Sequence, residues 1–246
     1  MILGFSTGDL YKTHDRLSPE TFDVFRKIGA NAIELTIVDM DEAPKLLQLE
    51  QEDFAGFRYV SIHAPNFDRY DTNSMIKFRQ TLDIFEEFCA KVKVNAIVFH
   101  PDEIGEWAIF ENYTFPVLIE NMDWKKEIGK YVESMQEIFE KADAPMVLDL
   151  NHCYTNDPTM HLAHDMIDAF RDRIMEVHVS GFEKSHDPLF QTGQREIMEA
   201  IFDQNLPIII ESECDTVEIA KKEFEYIRAF LNSGESMKFG LPSLDK

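Results

Sequence analysis

Six short apolar runs in this chain each end on a side chain able to bind a divalent metal. Tyr59-Val60-Ser61-Ile62 leads into His63, and Ala96-Ile97-Val98-Phe99 leads into His100. Pro116-Val117-Leu118-Ile119 leads into Glu120, and Pro145-Met146-Val147-Leu148 into Asp149. Ile174-Met175-Glu176-Val177 leads into His178, and Pro207-Ile208-Ile209-Ile210 into Glu211. Taken singly, such a histidine or carboxylate is most often a hydrogen-bonded structural residue. A succession of six differs, because carboxylates buried together without a cation are costly. Glu120, Asp149, His178 and Glu211 make a hard, oxygen-rich set suited to Mn, Mg, Co or Zn. An ion held there can polarise a carbonyl, hold substrate hydroxyls or lower the pKa of a bound water. His63 and His100 extend the set toward a second ion, and their imidazoles favour zinc.

Further candidates lie around this set. His152 follows Asp149 by three residues, and His186 sits in the polar loop from Ser185 to Gly193; either one suits a substrate oxygen or an additional ion. Glu34 ends the second strand-like run and is expected at the same mouth. Phe67, Trp107 and Phe190 fall in loops that would edge a pocket. His14, His161 and His164 lack such a context, and the last two read as surface positions of one helix.

These side chains converge only if the runs that carry them are parallel neighbours. Strand-like runs cover residues 2–6, 31–36, 58–63, 95–100, 116–120, 145–150, 173–179 and 206–211. Amphipathic stretches separate most of them: Pro19 to Ile28, Ser74 to Val92, Lys125 to Lys141, Pro158 to Phe170, Gln194 to Asp203 and Thr216 to Leu231. Thr72-Asn73-Ser74 and Asp157-Pro158 read as helix starts, and Gly29 as a helix stop. Residues Pro101 to Phe115 show no helical period and read as a long loop over the mouth. Eight strands with intervening helices predict an α/β protein, a single-domain (β/α)8 TIM barrel over residues 1–233 followed by a tail, 234–246. Its active site is expected at the C-terminal ends of the strands.

Composition narrows the partners. A net charge of −22 forfeits the phosphate neutralisation on which nucleic-acid affinity rests. No basic cluster exceeds Lys125-Lys126 or Lys221-Lys222. No apolar run approaches the ~20 residues that span a bilayer. Residues Met1 to Ser6 read as a strand rather than a signal peptide, so a cytoplasmic protein with a small-molecule substrate is expected. Oligomeric state stays open, a homo-oligomer included. Cys89, Cys153 and Cys214 form no CxxC pair; Cys89 reads as helix core, while the other two lie just past strand ends.

The motifs Ser61-Ile62-His63-Ala64-Pro65, Val98-Phe99-His100-Pro101, Ile119-Glu120-Asn121-Met122, Asp149-Leu150-Asn151-His152, Glu176-Val177-His178-Val179 and Ile210-Glu211 together resemble one group. It is the xylose isomerase-like barrels, which include sugar epimerases and the endonuclease IV-like AP endonucleases of family 2. The resemblance spans nearly the whole chain. Its epimerase side implies one metal on Glu120, Asp149, His178 and Glu211, with His152 on substrate oxygens. Glu120 and Glu211 would then also exchange a proton with the substrate through an enediolate. The endonuclease IV side implies a first zinc on His63, His100 and Glu120. Glu120 would bridge to a second zinc on Asp149, His178 and Glu211, and His152 and His186 would serve a third. That third site expects an aspartate two residues before the loop histidine, where this chain has Lys184, and Asp187 is out of register. One or two ions are therefore expected. The leading expectation is an isomerase or epimerase of a small sugar, sugar phosphate or related polyhydroxy carbonyl compound. A zinc-dependent phosphoesterase is the alternative, and a catalytically silent metal-binding regulator is a third.

Overall fold

All eight strand-like runs form strands, and they pair in parallel and in chain order until the sheet closes on itself. The computed structural model describes residues 1–234. Its strands are β1 (Ile2–Ser6), β2 (Ala32–Thr36), β3 (Tyr59–His63), β4 (Ala96–Phe99), β5 (Val117–Glu120), β6 (Met146–Asp149), β7 (Ile174–Val179) and β8 (Pro207–Ile210). β8 pairs with both β7 and β1, which completes the barrel. The chain is a single (β/α)8 barrel; of the expected tail only Gly234 is described, and 235–246 lie outside the described residues. Among the described residues no helix is long and apolar enough to cross a membrane.

Strand parity decides which residues meet. Outward-facing Phe5, Ile33, Leu35, Val60, Ile62, Ile97, Phe99, Ile119, Leu148, Val177, Ile208 and Ile210 pack into the apolar layer under the helices. Both faces of such a sheet are covered, which is why the runs read as nearly continuous apolar stretches. Inward-facing Ala96, Val98, Leu118 and Val147 form a small apolar plug with Tyr59 against it. One inward step further lie Glu34, Ser61 and Glu176, all fully buried. Above them stand His63, His100, Glu120, Asp149, His178 and Glu211. Register holds this layer level, with Thr36 beside His63 and Asp149 beside His178.

Helices fill most of the crossovers: α1 (Pro19–Ile28), α2 (Thr72–Lys91), α3 (Val132–Phe139), α4 (Leu150–Asn156), α5 (His161–Phe170), α6 (Leu189–Thr192), α7 (Arg195–Glu199) and α8 (Val217–Asn232). α1 matches its expected bounds, with Ser18 capping Thr21 N and Gly29 closing the end at φ 113°. Elsewhere the ends differ for identifiable reasons. Asp71, not Thr72 to Ser74, caps α2, its carboxylate accepting from Ser74 N at 2.6 Å. Most of the Lys125–Lys141 stretch is loop, because Gly129 at φ 80° returns its carbonyl to Met122 N. Asp157 ends α4 rather than opening a helix at Pro158, although its carboxylate still accepts from Leu162 N in the first turn of α5. Two crossovers hold only 3-10 turns: Met40–Gln48 with Gln51–Phe54, and Trp107–Asn112. The latter does not cover the mouth. Trp107 lies with Val117 and Pro145, at the opposite ends of β5 and β6, where it packs on the outer wall.

Candidate metal centre

Glu120 is the hub of the site. Its side chain is wholly buried, and four imidazoles surround its two oxygens. Oε2 lies 3.0 Å from His100 Nε2 and 3.3 Å from His63 Nε2. Oε1 lies 3.4 Å from His178 Nδ1 and 3.6 Å from His152 Nδ1. Glu211 is the first residue past β8; its amide still donates to Val179 O, which aims its carboxylate to 3.3 Å from His178 Nδ1. Asp149 caps α4 through Oδ1, which accepts from His152 N at 2.7 Å, and this leaves Oδ2 for the centre. The donor atoms fall into two groups that share Glu120: His63, His100 and Glu120, and Glu120, Asp149, His178 and Glu211. Within each group they lie within 4.8 Å of one another.

The residues fit a divalent cation. Glu120 Oε1, Asp149 Oδ2 and His178 Nδ1 are buried and have no hydrogen-bond partner among the described residues. Unpaired buried acceptors turned to one point are costly unless a cation joins them. Hydrogen bonds on the far side of two rings turn a nitrogen toward that point. His63 Nδ1 donates to Ala64 O at 3.1 Å, and His178 Nε2 to Glu176 Oε1 at 3.3 Å. The nitrogen left over is Nε2 in His63 and Nδ1 in His178, the arrangement that metal-binding imidazoles require. His152 Nδ1 instead donates to Asn121 O at 2.8 Å.

Electrostatics records the same convergence. Burial acts to push His100 down, but Glu103 and Glu120 outweigh it and hold the imidazole up at about 10. Burial likewise opposes protonation of His63 and His178, and nearby carboxylates override it in both. Burial would raise Glu120 and Glu211, yet the imidazoles hold both well below the usual carboxylate range. Asp149, with fewer donors, is pushed up by burial to about 7.

A cavity of about 480 Å³ opens above the cluster and is lined by Ser6, Asp9, Tyr11, Thr36, His63, Asn66, His100, Glu120, His152, His186, Glu211 and Glu213. His152 and His186 are both in its wall, with ring centroids 5.9 Å apart, and His186 Nδ1 is hydrogen-bonded to Ser180 Oγ at 3.0 Å. Burial holds His186 below its ordinary value. Other expected residues lie elsewhere. Glu34 is in the middle of β2, below the mouth, 3.4 Å from the far nitrogen of His178. Lys184 is exposed outside the cavity; its amide, with those of Glu183 and Ser185, donates to Asp187, so that carboxylate closes its own loop. Phe67 stacks on Phe78 at the rim, and Phe190 donates its amide to Glu223 behind the loop. Burial raises the thiols of Cys153 and Cys214, which keeps both in the protonated form.

Three residues near the centre escaped the sequence. Glu176 precedes His178 by two and so shares its inward face; parity alone could have found it. Glu103 lies 3.8 Å from His100 Nδ1. Asp9 lines the cavity from a 3-10 turn after β1, where no periodicity marks it.

No protein-family model matches the sequence, and no curated protein matches it either. Solved structures match almost its full length. Endonuclease IV from Thermus thermophilus is 16% identical with a TM-score of 0.68, covering 95% of this chain and 100% of its own. D-psicose 3-epimerase from Clostridium cellulolyticum, solved with D-tagatose, is 9% identical with a TM-score of 0.64 and covers 95% of this chain and 99% of its own. The IolI protein, solved with a zinc atom, is 16% identical with a TM-score of 0.62 over 98% of this chain and 100% of its own. These likenesses show the fold, a closed (β/α)8 barrel shared over nearly the whole chain.

Proposed function

We propose that this protein is a divalent-metal-dependent hydrolase of small phosphate esters. The observation that carries this reading is the position of Glu120 between two ligand groups, with His63 and His100 at its Oε2 and the unpaired Oε1 facing His178 Nδ1 at 3.4 Å. A carboxylate so placed suits a bridge between two ions and is poorly placed to exchange protons with a carbon atom. His63, His100 and Glu120 would hold one ion, and Glu120, Asp149, His178 and Glu211 the other. Two ions held there would supply positive charge beside the ester oxygens and would lower the pKa of a water in the cavity. His186 Nε2 accepts the proton of that water, and His152 Nε2 gives one to the departing oxygen. Asn121 O and Ser180 Oγ hold the two rings at their other nitrogens.

The test is metal analysis of zinc-loaded protein alongside release of phosphate from p-nitrophenyl phosphate, its bis-ester and sugar phosphates. Expected are about two ions per chain and turnover that falls by at least 10²-fold in His100→Ala. A single ion, with deuterium uptake from D₂O at the carbon beside a ketose carbonyl, would overturn it.

That outcome belongs to a second reading, isomerisation or epimerisation of a neutral polyhydroxy carbonyl compound. It is favoured by the cavity wall, which among the described residues has no lysine or arginine and offers Ser6, Tyr11, Thr36 and Asn66. There Glu211, whose side chain is 15% exposed, would move the proton. In both readings the partner is a small molecule, since the charge of −22 disfavours nucleic acid.

A further inference from the structure

Beneath the metal centre lies a layer of polar side chains that neither reading uses. Glu176 and Glu34 are fully buried inside the barrel, and both face Nε2 of His178, Glu176 Oε1 at 3.3 Å and Glu34 Oε2 at 3.4 Å. The two are not equivalent. Glu176 Oε2 receives the Tyr59 hydroxyl at 2.8 Å, and its Oε1 receives the Ser61 hydroxyl at 3.1 Å. Among the described residues Glu34 shares only the Ser61 hydroxyl, at 3.2 Å, and its Oε1 has no partner. Two donors from β3 thus fix Glu176 in place, and its Oε1 is the better-held acceptor for the His178 ring proton.

We propose that Glu176 is a positioning residue for the metal centre: it holds the His178 ring by Nε2–H, so that Nδ1 faces Glu120 and Glu211, while Tyr59 and Ser61 hold Glu176. The inference rests on the reading of His178 as a metal ligand. An imidazole can bind through either nitrogen, and the hydrogen bond made by the other one selects which. His178 is the only imidazole of the quartet, and it stands between Glu120 Oε1 and Glu211 Oε2, so a turned ring would remove the one nitrogen that this group offers. Two residues of separation on β7 place the pair on one face, and the closed barrel excludes water that could substitute for the carboxylate.

The test combines zinc affinity, by competition with a chelator, with nitrogen-15 and proton NMR of His178 in metal-free protein. Glu176→Leu should weaken the tighter zinc by about 10–100-fold and abolish the slowly exchanging Nε2–H resonance of His178. Tyr59→Phe should weaken it by a few-fold. Glu176→Gln should restore most of the affinity, because its amide oxygen still accepts from Nε2–H. The proposal fails if the folded Leu variant keeps zinc affinity within about two-fold with a protected Nε2–H, or if Gln is as damaging as Leu. Where the Leu variant does not fold, the Gln and Phe variants decide by the same two readouts: unchanged affinity and resonance in Tyr59→Phe, with loss in Glu176→Gln, would sink it. Failure of the wild type to bind zinc would instead defeat the proposed function, and the resonance would still decide the role of Glu176.

Discussion

Glu223 Oε1 accepts the Ser212 hydroxyl at 2.9 Å, tying α8 to the residue that follows Glu211. The same buried carboxylate accepts from Leu189 N at 2.7 Å and Phe190 N at 3.0 Å, just beyond the loop that carries His186. One side chain outside the barrel therefore anchors two of the loops that form its mouth. Replacing Glu223 with Gln turns one acceptor oxygen into a donor against donors that it cannot satisfy. Urea denaturation should show a loss of about 1–3 kcal/mol, and Glu223→Ala a larger one.

The two ligand groups can be separated by mutation. His63→Ala and His100→Ala each dismantle the group that those residues share with Glu120 and leave Asp149, His178 and Glu211 in place. Metal analysis should read about one ion per chain in each variant against about two in wild type. Glu120→Ala removes the shared ligand and should leave neither ion tightly held. Retention of both ions in His100→Ala would contradict the division.

Proton competition sets the pH dependence. Glu103 and Glu120 hold His100 at about 10 against burial, above its value of 6.5 in the unfolded chain. A raised folded-state value stabilises the fold fully below about 6.5 and loses that contribution as pH rises toward 10. Metal-free protein should therefore melt at progressively lower temperature between those values. Zinc binding must displace the same protons, so zinc affinity should rise across the same window. Melting curves with and without zinc at several pH values test both signs, and an apo melting temperature that rises with pH would refute the assignment.

Gly4 marks a close approach in the barrel wall. A Cβ built there would lie 1.8 Å from the carbonyl oxygen of Ala32 on the neighbouring strand, a backbone atom that has no rotamer by which to retreat. Gly4→Ala should cost about 3 kcal/mol or more, measured by denaturation, or prevent folding altogether.

Much of this was legible from residue order because β-strands obey a period of two. Runs buried on both faces announced all eight strands, and each candidate ligand stood where its run stopped. Attention to the last residue of each run also hid something: Glu176 lies in the same six-residue strand as His178, yet only the terminal histidine stood out. Helix ends were less legible, since Asp157 caps α5 from several residues away and Gly129 redirects a stretch of helix-forming sequence. Trp107 misled because an aperiodic segment between strands can pack on the wall as readily as it covers the mouth. Asp9 had no signal at all, since a single 3-10 turn is too short to show a pattern.

The two candidate ligand groups share one doorway. The side chains of His63 and His100 are each 14% exposed and that of Glu211 is 15% exposed, all in the wall of the same cavity, whereas Asp149, His178 and Glu120 are essentially sealed beneath them. Ions held by either group would enter and leave through that opening, so a small chelator should strip both in one kinetic phase, and one too bulky for the cavity should strip neither quickly.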